Sequence, residues 1–534
     1  MADSLAGTGT LVRLALRRDR VMLPTWVAVF VVMAAFSASA TVGLYPDTGS
    51  RVRAAEAING TPSLVALYGR IYDVTSLGAI AMIKMGGIGA ALLAVVAYMT
   101  VLRHTRADEE LGRLELLAGG VVGKQAPLAA ALVIGVGAAL ATGLLTAAAL
   151  AGVGLPAAGS LAFGLAWTAT GVAFAGVGAV TAQVTTSARA ARGLSAAVLG
   201  AAYAARAVGD STGDVDPMWL SWTSPIGWGQ QVRPYAGDRW AVFLVSIVFA
   251  AACVAGAALL SSRRDLGTGL LQERPGPAGA ARGFDSPLAL AWRLQRGMLL
   301  GWAIGFLVLG FILGNVASNI GDMLDSPAAQ EMIMKLGGVE GLTDAFIAAE
   351  LGFMGIGGAA FGVQAALRMH GEETSLRLEP VLATATGRLR WAASHLSLAF
   401  AGPVVLAAVA GVAVGAANAA QTGDGADLAQ AVLGALVHLP AIWIMVGLVV
   451  VTYGLAPRFA PATWGILVGF LLVGEIGALL ELPTWVMDLS PFTHVPRLPG
   501  GELRVAPLLW LTTIAVGLVV LGLAGFRRRD VNER

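Results

Sequence analysis

The charged residues with the most regular spacing belong to one pattern that occurs twice. RADEELGRLELLAGGVVGK occupies residues 106–124, and HGEETSLRLEPVLATATGR occupies residues 370–388. Matched positions are 264 residues apart: Glu109 with Glu373, Arg113 with Arg377, Leu114 with Leu378, and Glu115 with Glu379. Side chains of these types can set the register of a contact through charge and fill an apolar pocket through leucine. A charged block flanked by apolar segments has therefore been duplicated.

Motifs that bind nucleotides or metals are missing from the sequence. The string closest to a Gly-x-x-x-x-Gly-Lys-Ser/Thr phosphate loop is AGGVVGKQ, with Ala118 at the first glycine and Gln125 at the hydroxyl position. Paired cysteines and a His-x-x-x-His spacing are also lacking, and the five histidines are scattered. We therefore predict no catalytic residue, no metal site and no cofactor in this chain, and a membrane-embedded enzyme is not supported.

The duplication extends over both halves of the sequence. Arg263-Arg264-Asp265 returns as Arg528-Arg529-Asp530, in the same order relative to the first pattern. This predicts two homologous modules. We assign them to residues 1–265 and 288–534, joined by a cytoplasmic linker at 266–287 that is dense in Pro and Gly.

Composition indicates that each module lies in a membrane. Hydrophobic residues make up 57% of the chain and charged residues only 13%, against roughly 25% charged in soluble domains. Apolar runs of roughly 20 residues predict about twelve spans, six in each half. The predicted spans are 22–45, 78–102, 126–150, 161–183, 193–208, 240–260, 298–316, 344–367, 391–417, 428–455, 463–480 and 505–525. The expected fold is an all-α polytopic membrane protein.

Arginines cluster in alternate loops, so the positive-inside rule places both termini in the cytoplasm of a cell-membrane protein. The segments LVRLALRRDR and LALAWRLQRG mix Leu, Trp and Arg, which is typical of an interfacial helix before the first span of each half. Ordinary anchoring by positive charge is an open alternative for these segments. The outer segments 64–72 and 323–338 are predicted to form helices that cap the outer face.

Together these features resemble the ABC-2 class of ABC-transporter permease. The shared features are a six-helix module, an amphipathic helix before its first span, and an E-E-x-x-x-R-L-E-x-L-L helix between its second and third spans. Two such modules in one chain rich in Ala, Gly and Arg resemble actinobacterial permeases that export polyketide antibiotics of the tetronasin type, and multidrug efflux permeases.

The resemblance implies an ATP-driven exporter of hydrophobic or amphiphilic small molecules, with two copies of a separate ATPase subunit that carries ATP and Mg. It also implies that the duplicated segment is a coupling helix docking on that ATPase. The coupling positions would be Glu109, Arg113, Leu114, Glu115, Glu373, Arg377, Leu378 and Glu379. Pro380 replaces Leu116 in the second copy, so the two copies should dock differently in detail. A solvated loop that only satisfies topology is the simpler interpretation.

Four charges inside predicted spans suggest a transport path, because such charges are costly and usually face a bundle interior or a water-filled cavity. Lys84 and Glu350 occupy nearly equivalent sites of the two halves, and so do Arg206 and Glu475. The resemblance places these spans along a central path, where each pair of opposite charges could meet. Snorkelling to the outer surface or structural ion pairing is the alternative.

A secondary transporter of the major facilitator kind, working without an ATPase, is the rival function. Its loop between the second and third helices is usually rich in Gly, Asp and Arg, unlike the helix here. Nucleic acid is not an expected partner, and the sequence does not identify the exported molecule.

Overall fold

The computed structural model describes residues 2–45, 47–118, 120, 122–211, 219–265, 267–270, 279, 283–317, 338–476 and 483–530. Across these residues all regular structure is helical, without a β-strand. The helices form two compact units, Met1–Pro275 and Gly276–Arg534. The division falls inside the range predicted as a linker, much of which lies outside the described residues. The assignment of a permease module to each unit stays a prediction.

The first unit begins with a short 3-10 helix, Ala2–Leu5, and then contains α-helices of very different lengths. In chain order they are α1 (Thr8–Arg18), α2 (Met22–Leu44), α3 (Thr48–Gly60), α4 (Pro62–Tyr68), α5 (Leu77–Arg103), α6 (Arg106–Glu110), α7 (Arg113–Ala118), α8 (Ala126–Gly152), α9 (Ala157–Val184), α10 (Ala188–Ser211), α11 (Trp219–Trp222), α12 (Pro225–Gln231) and α13 (Phe243–Arg263). The outer segment predicted at 64–72 falls on α4 and the residues that follow it.

The second unit follows a similar order of long and short helices. They are α14 (Pro287–Ala317), α15 (Gly338–Ala366), α16 (Arg368–Thr374), α17 (Leu378–Leu382), α18 (Arg388–Thr422), α19 (Ala426–Leu436), α20 (Leu439–Leu455), α21 (Thr463–Ile476), α22 (Thr484–Met487) and α23 (Val505–Arg528). The outer helix predicted at 323–338 lies outside the described residues, apart from Gly338.

Eleven helical stretches of the described chain are long and apolar enough to cross a membrane. This confirms the all-α polytopic membrane fold. The predicted span 193–208 corresponds to α10, which is not among the eleven. Its 24 residues would reach about 36 Å, but Arg189, Arg192, Arg206 and Asp210 make it too polar for a simple lipid-exposed span.

The two units begin differently, against the prediction of a separate interfacial helix in each. In the first unit α1 ends at Arg18 and α2 starts at Met22. In the second, α14 runs without a break through the equivalent segment. Pro24 explains the difference, because a proline inside a continuous helix removes a hydrogen bond and clashes with the preceding turn. Leu300 stands at the matching position and permits continuity. The separate helix occurs in the first unit only.

Close helix contacts in each unit hold the ends of long helices beside the duplicated segment. Gly176 on α9 leaves room for Cys253 on α13, since a Cβ on the glycine would overlap the cysteine Cβ. In the second unit, a Cβ on Gly454 of α20 would overlap the backbone of Gly522 on α23. Small residues commonly mediate such packing in membranes. These contacts fix where the residues after α13 and α23 lie.

Candidate functional site

The duplicated pattern folds in each unit as two short helices joined by a left-handed residue. That residue is Gly112 between α6 and α7, with φ 69°, and Leu376 between α16 and α17, with φ 58°. Glycine adopts this conformation without strain, whereas leucine does so at a steric cost. The same sharp turn is therefore kept in both units although only one of them has the residue best suited to it.

On the inner side of this turn, Glu109 fastens α6 to the residues after α13. Arg264 donates from Nη1 to Oε1 at 2.6 Å and from Nη2 to Oε2 at 2.9 Å. The backbone N–H of Gly267 also donates to Oε1 at 2.6 Å, and Arg106 Nη1 lies 3.0 Å from Oε2. Two-point guanidinium–carboxylate pairs are among the stronger and more directional protein hydrogen bonds. Glu109 is thus a buried fastening residue.

The second unit repeats this fastening with a different neighbour. Arg529 donates from Nη1 to Glu373 Oε1 at 2.7 Å and from Nη2 to Oε2 at 2.6 Å. Tyr453 on α20 donates its hydroxyl to Oε2 at 2.5 Å, and its ring centre lies 4.9 Å from the guanidinium carbon of Arg529. Burial opposes the charge of Arg529, but the Glu373 carboxylate outweighs it and raises the pKa of the arginine.

The preceding carboxylate of each repeat also contacts the arginine of the pattern. Arg113 Nη1 lies 2.9 Å from Asp108 Oδ1, and Arg18 of α1 lies 2.6 Å from Oδ2. The hydrogen bond to Asp108 raises the pKa of Arg18. At the matching position of the second unit, Arg377 Nη1 lies 3.8 Å from Glu372 Oε1. Each segment is therefore braced by local ion pairs besides the fastening one.

The eight predicted coupling residues divide into two groups by burial. Glu109, Leu114, Glu373 and Leu378 are buried within their own units. The side chains of Arg113 and Arg377 are 53% and 61% exposed, and Glu115 and Glu379 are exposed as well. Leu114 and Leu378, which were expected to insert into the ATPase, are thus buried within their own units instead. Charged side chains from both repeats form the accessible part.

Exposed leucines beside these charges were not among the predicted site residues. Leu111 is 63% exposed, Leu116 is 84% exposed, and Leu376 is 56% exposed. Their position inside the charged duplicated segment was the available signal. Leu111 precedes the turn residue Gly112, and Leu376 is itself the turn residue of the second unit. We call these residues, taken in each unit by itself, the duplicated exposed face: Leu111, Arg113, Glu115 and Leu116 in the first unit, and Leu376, Arg377, Glu379 and Pro380 in the second.

The four predicted pathway charges have different surroundings. Lys84 is exposed on α5, and Glu350 is half-buried on α15. Arg206 on α10 is fully buried, donating to the carbonyl of Leu67 at 3.1 Å, with Asp210 at 3.6 Å. The fourth, residue 475, lies on α21 with its side chain outside the described part. The pairings proposed between the two units stay predictions.

A buried cluster where α1, α2 and α5 meet was missed by sequence reasoning. Asp19 is completely buried between the two helices at the start of the first unit. Its Oδ2 lies 2.6 Å from His104 Nε2, and its Oδ1 lies 2.9 Å from Arg103 Nη2. An acidic residue inside the basic run LRRDR was the signal for such a pair. These contacts hold the chain between α1 and α2 in place, where Pro24 prevents a continuous helix.

Among the residues that the structure describes, no group of three or more His, Cys, Asp or Glu side chains is arranged to hold a metal ion. The exposed charges and leucines of the duplicated segment can make ion pairs and apolar contacts, which suits recognition of another surface.

Comparison with known proteins agrees with these features. The family described as the C-terminal domain of the multidrug efflux system permease Rv1217c matches residues 284–527. The multidrug efflux system permease protein Rv1217c of Mycobacterium tuberculosis (strain ATCC 25618 / H37Rv) is 46% identical over 532 residues, covering 99% of this chain and 96% of that protein. The chain belongs to the family of this multidrug efflux system permease.

Proposed function

We propose that this chain is the membrane permease of an ABC-2 type exporter that moves hydrophobic or amphiphilic small molecules, including drugs, out of the cell. The relative that matches nearly its full length is named as a multidrug efflux system permease. The observation that carries the coupling part of the proposal is the duplicated exposed face, held on two units by equivalent buried Glu–Arg pairs.

The fastening pairs support transmission of movement rather than simple docking. Glu109 ties the segment after α5 to the residues following α13, and Glu373 ties the segment after α15 to those following α23. A force applied to the exposed face would therefore reach two transmembrane helices of the same unit at once. A loop that only connected spans would not need a buried ion pair to a distant helix.

The proposed partners are two copies of a separate ATPase subunit, one for each repeat of the exposed face. ATP and Mg would be bound by those subunits, because this sequence lacks a phosphate loop. With two repeats in one polypeptide, a single permease chain would serve each complex. Both termini and the exposed face would lie on the cytoplasmic side, as the arginine distribution predicts.

Transport by reconstituted protein tests this proposal. The full chain, purified alone and together with a candidate ATPase, is placed in vesicles loaded with a fluorescent hydrophobic drug. We expect drug movement only with the ATPase and hydrolysable ATP, and a particle mass that fits one permease with two ATPases. Movement driven by a proton gradient without the ATPase would favour a secondary transporter and overturn the proposal. Two permease chains per particle would contradict the stoichiometry.

A further inference from the structure

A large open cavity of about 1260 Å³ lies in the first unit, bounded by α1, α2, α5, the α6–α7 segment, α8 and the start of α10. This exceeds the roughly 300–1,000 Å³ of most small-molecule sites. Its walls are mainly apolar. Trp26 and Val29 of α2 and Leu92 and Met99 of α5 line it, each more than two-fifths exposed. We call it the α2–α5 groove.

The α2–α5 groove has a charged end and an apolar end. Arg18, Arg103, Arg113 and Arg192 line the end near the duplicated segment. Three of these arginines are matched by only two acids, Asp108 and the buried Asp19, and Arg192 makes no ion pair with a described residue. Four positive charges against two negative ones leave an excess of two. The charged end therefore favours an anion.

The length of the groove matches one leaflet of a bilayer. On α2 the lining runs from Met22 to Met33, and on α5 from Arg103 back to Leu92, which is eleven steps along each helix. At 1.5 Å per residue this is about 16 Å, close to half of the roughly 30 Å hydrocarbon core. The arginine end coincides with the side that the positive-inside rule predicts to be cytoplasmic.

We propose that the α2–α5 groove binds an acidic phospholipid of the cytoplasmic leaflet. The phosphate-bearing head group lies at Arg103 and Arg192, and an acyl chain lies along Trp26, Val29 and Leu92. Basic pockets between membrane helices are suited to anionic head groups. The occupant spans one leaflet, which fits a lipid better than a compact drug molecule. Because the groove includes Leu111 and Arg113, the lipid would also contact the duplicated exposed face.

Lipid selectivity can be measured on the full chain without ATPase or transported drug, so failure here would not bear on the proposed function. The purified protein is reconstituted into phosphatidylcholine vesicles with a minor fraction of spin-labelled phosphatidylglycerol or spin-labelled phosphatidylcholine. Electron paramagnetic resonance then reports the fraction of each label held by the protein. We expect more phosphatidylglycerol than phosphatidylcholine to be held, and Arg192→Gln to reduce this preference about fivefold.

Arg189→Gln is the matched control, because Arg189 is an exposed arginine one turn earlier on α10 that does not line the groove. Equal losses in both variants would show attraction to surface charge only and overturn the proposal. Val29→Trp should also lower the preference by filling the apolar end, with all charges kept. If neither Arg192→Gln nor Val29→Trp changes the preference for phosphatidylglycerol, the proposal is also overturned. If these variants keep the lipid preference but change which drugs the cells resist, the groove binds exported molecules instead of a lipid.

Discussion

Glu109 and Arg264 lie 155 residues apart in sequence and form a buried two-point ion pair, with Oε1 2.6 Å from Nη1. Glu373 and Arg529 form the same pair in the second unit at a separation of 156 residues. In each unit, the duplication has thus preserved a long-range contact between the segment that follows the second span and the residues that follow the last span. In each unit this contact holds the exposed charges of the segment in position.

Removing one carboxylate of a fastening pair should destabilise its unit strongly. In Glu109→Ala, the Arg264 side chain (10% exposed) and that of Arg106 (1% exposed) lose their shared acid. Breaking a buried pair by removing one partner costs about 3–5 kcal/mol. Thermal unfolding of the detergent-solubilised protein measures the loss. Glu115→Ala removes an exposed carboxylate of the same segment and should change stability by less than about 0.5 kcal/mol. Equal shifts in the two variants would contradict a fastening role.

Replacing the exposed arginines should affect coupling and spare the fold. Arg113 and Arg377 are more than half exposed, and surface ion pairs contribute only about 0–1 kcal/mol. We expect the double variant Arg113→Ala with Arg377→Ala to insert normally, to bind the ATPase less well and to lose ATP-driven transport. Glu115→Ala with Glu379→Ala should act in the same direction. Co-purification and hydrolysis coupled to transport are the measurements.

Arg189→Ala removes an exposed arginine of α10 outside the duplicated exposed face and serves as the control for this pair. It should retain both ATPase binding and transport. Transport at the wild-type rate in the double arginine variant would remove the basis for assigning the segment to coupling.

The left-handed turn should be sensitive to the residue that forms it. A Cβ added at Gly112 meets nothing within 4 Å, so the cost of Gly112→Ala comes from its φ of 69° alone. That cost is about 1–2 kcal/mol. It is partly offset because alanine lowers the conformational entropy of the unfolded chain. Leu376→Gly should relieve the corresponding strain and leave stability nearly unchanged. Gly137→Ala is a control of opposite sign, because Gly137 lies within α8 with open space around it and alanine is the better helix former.

The long membrane-spanning helices were predictable because bilayer thickness sets their length, so each appears in the sequence as an apolar run of roughly 20 residues. The duplication was also visible, including Arg264 and its repeat Arg529. The burial of Glu109 was not predictable from its own segment, since a run such as RADEELGRLE has the composition of a solvated surface. Its partner lies 155 residues away, and only the fold brings the two together. The missed signal was that each repeated acid is followed by a repeated arginine at almost the same separation, 155 residues in the first unit and 156 in the second.

The two units differ at their first helices because of single residues. The overall similarity of the two segments hides the effect of those residues. LVRLALRRDR and LALAWRLQRG have the same character, yet Pro24 bends the first and Leu300 leaves the second straight. The span predicted at 193–208 included Arg206 as a charge inside the membrane but ended before Asp210, whereas α10 continues to Ser211. That acid lies one turn beyond Arg206, near enough to neutralise it inside the unit.

Arg206 should be needed for the stability of the first unit. It is completely buried with Asp210 beside it, and Tyr203 lies under its guanidinium at 4.4 Å. In Arg206→Gln the Asp210 carboxylate keeps the Ser221 hydroxyl at 2.5 Å but loses the guanidinium group 3.6 Å away. We expect a loss of about 3–5 kcal/mol in thermal unfolding, partly recovered by adding Asp210→Asn.

The predicted pairing of Arg206 with Glu475 gives a different expectation for the same experiment. If those two residues pair, Glu475→Gln should destabilise as much as Asp210→Asn, and a charge swap between them should restore function. A large effect of Asp210→Asn together with a small one of Glu475→Gln would place the partner of Arg206 inside its own unit.

The pair Lys84 and Glu350 remains the candidate for a gate, and a charge swap can test it. They occupy nearly equivalent positions on helices that the resemblance places along a central path, Lys84 exposed on α5 and Glu350 half-buried on α15. If they face one another in a closed outer gate, either single neutralisation leaves one charge in a poorly solvated site and reduces drug export. The double variant Lys84→Glu with Glu350→Lys keeps both charges in reversed order, so it should export more drug than either single variant. Lys124→Glu, on the predicted cytoplasmic side, controls for a general effect of lysine replacement. Export by the swapped protein no better than that of the worse single variant would show that each charge acts independently, as an anchor or as a contact for the exported molecule.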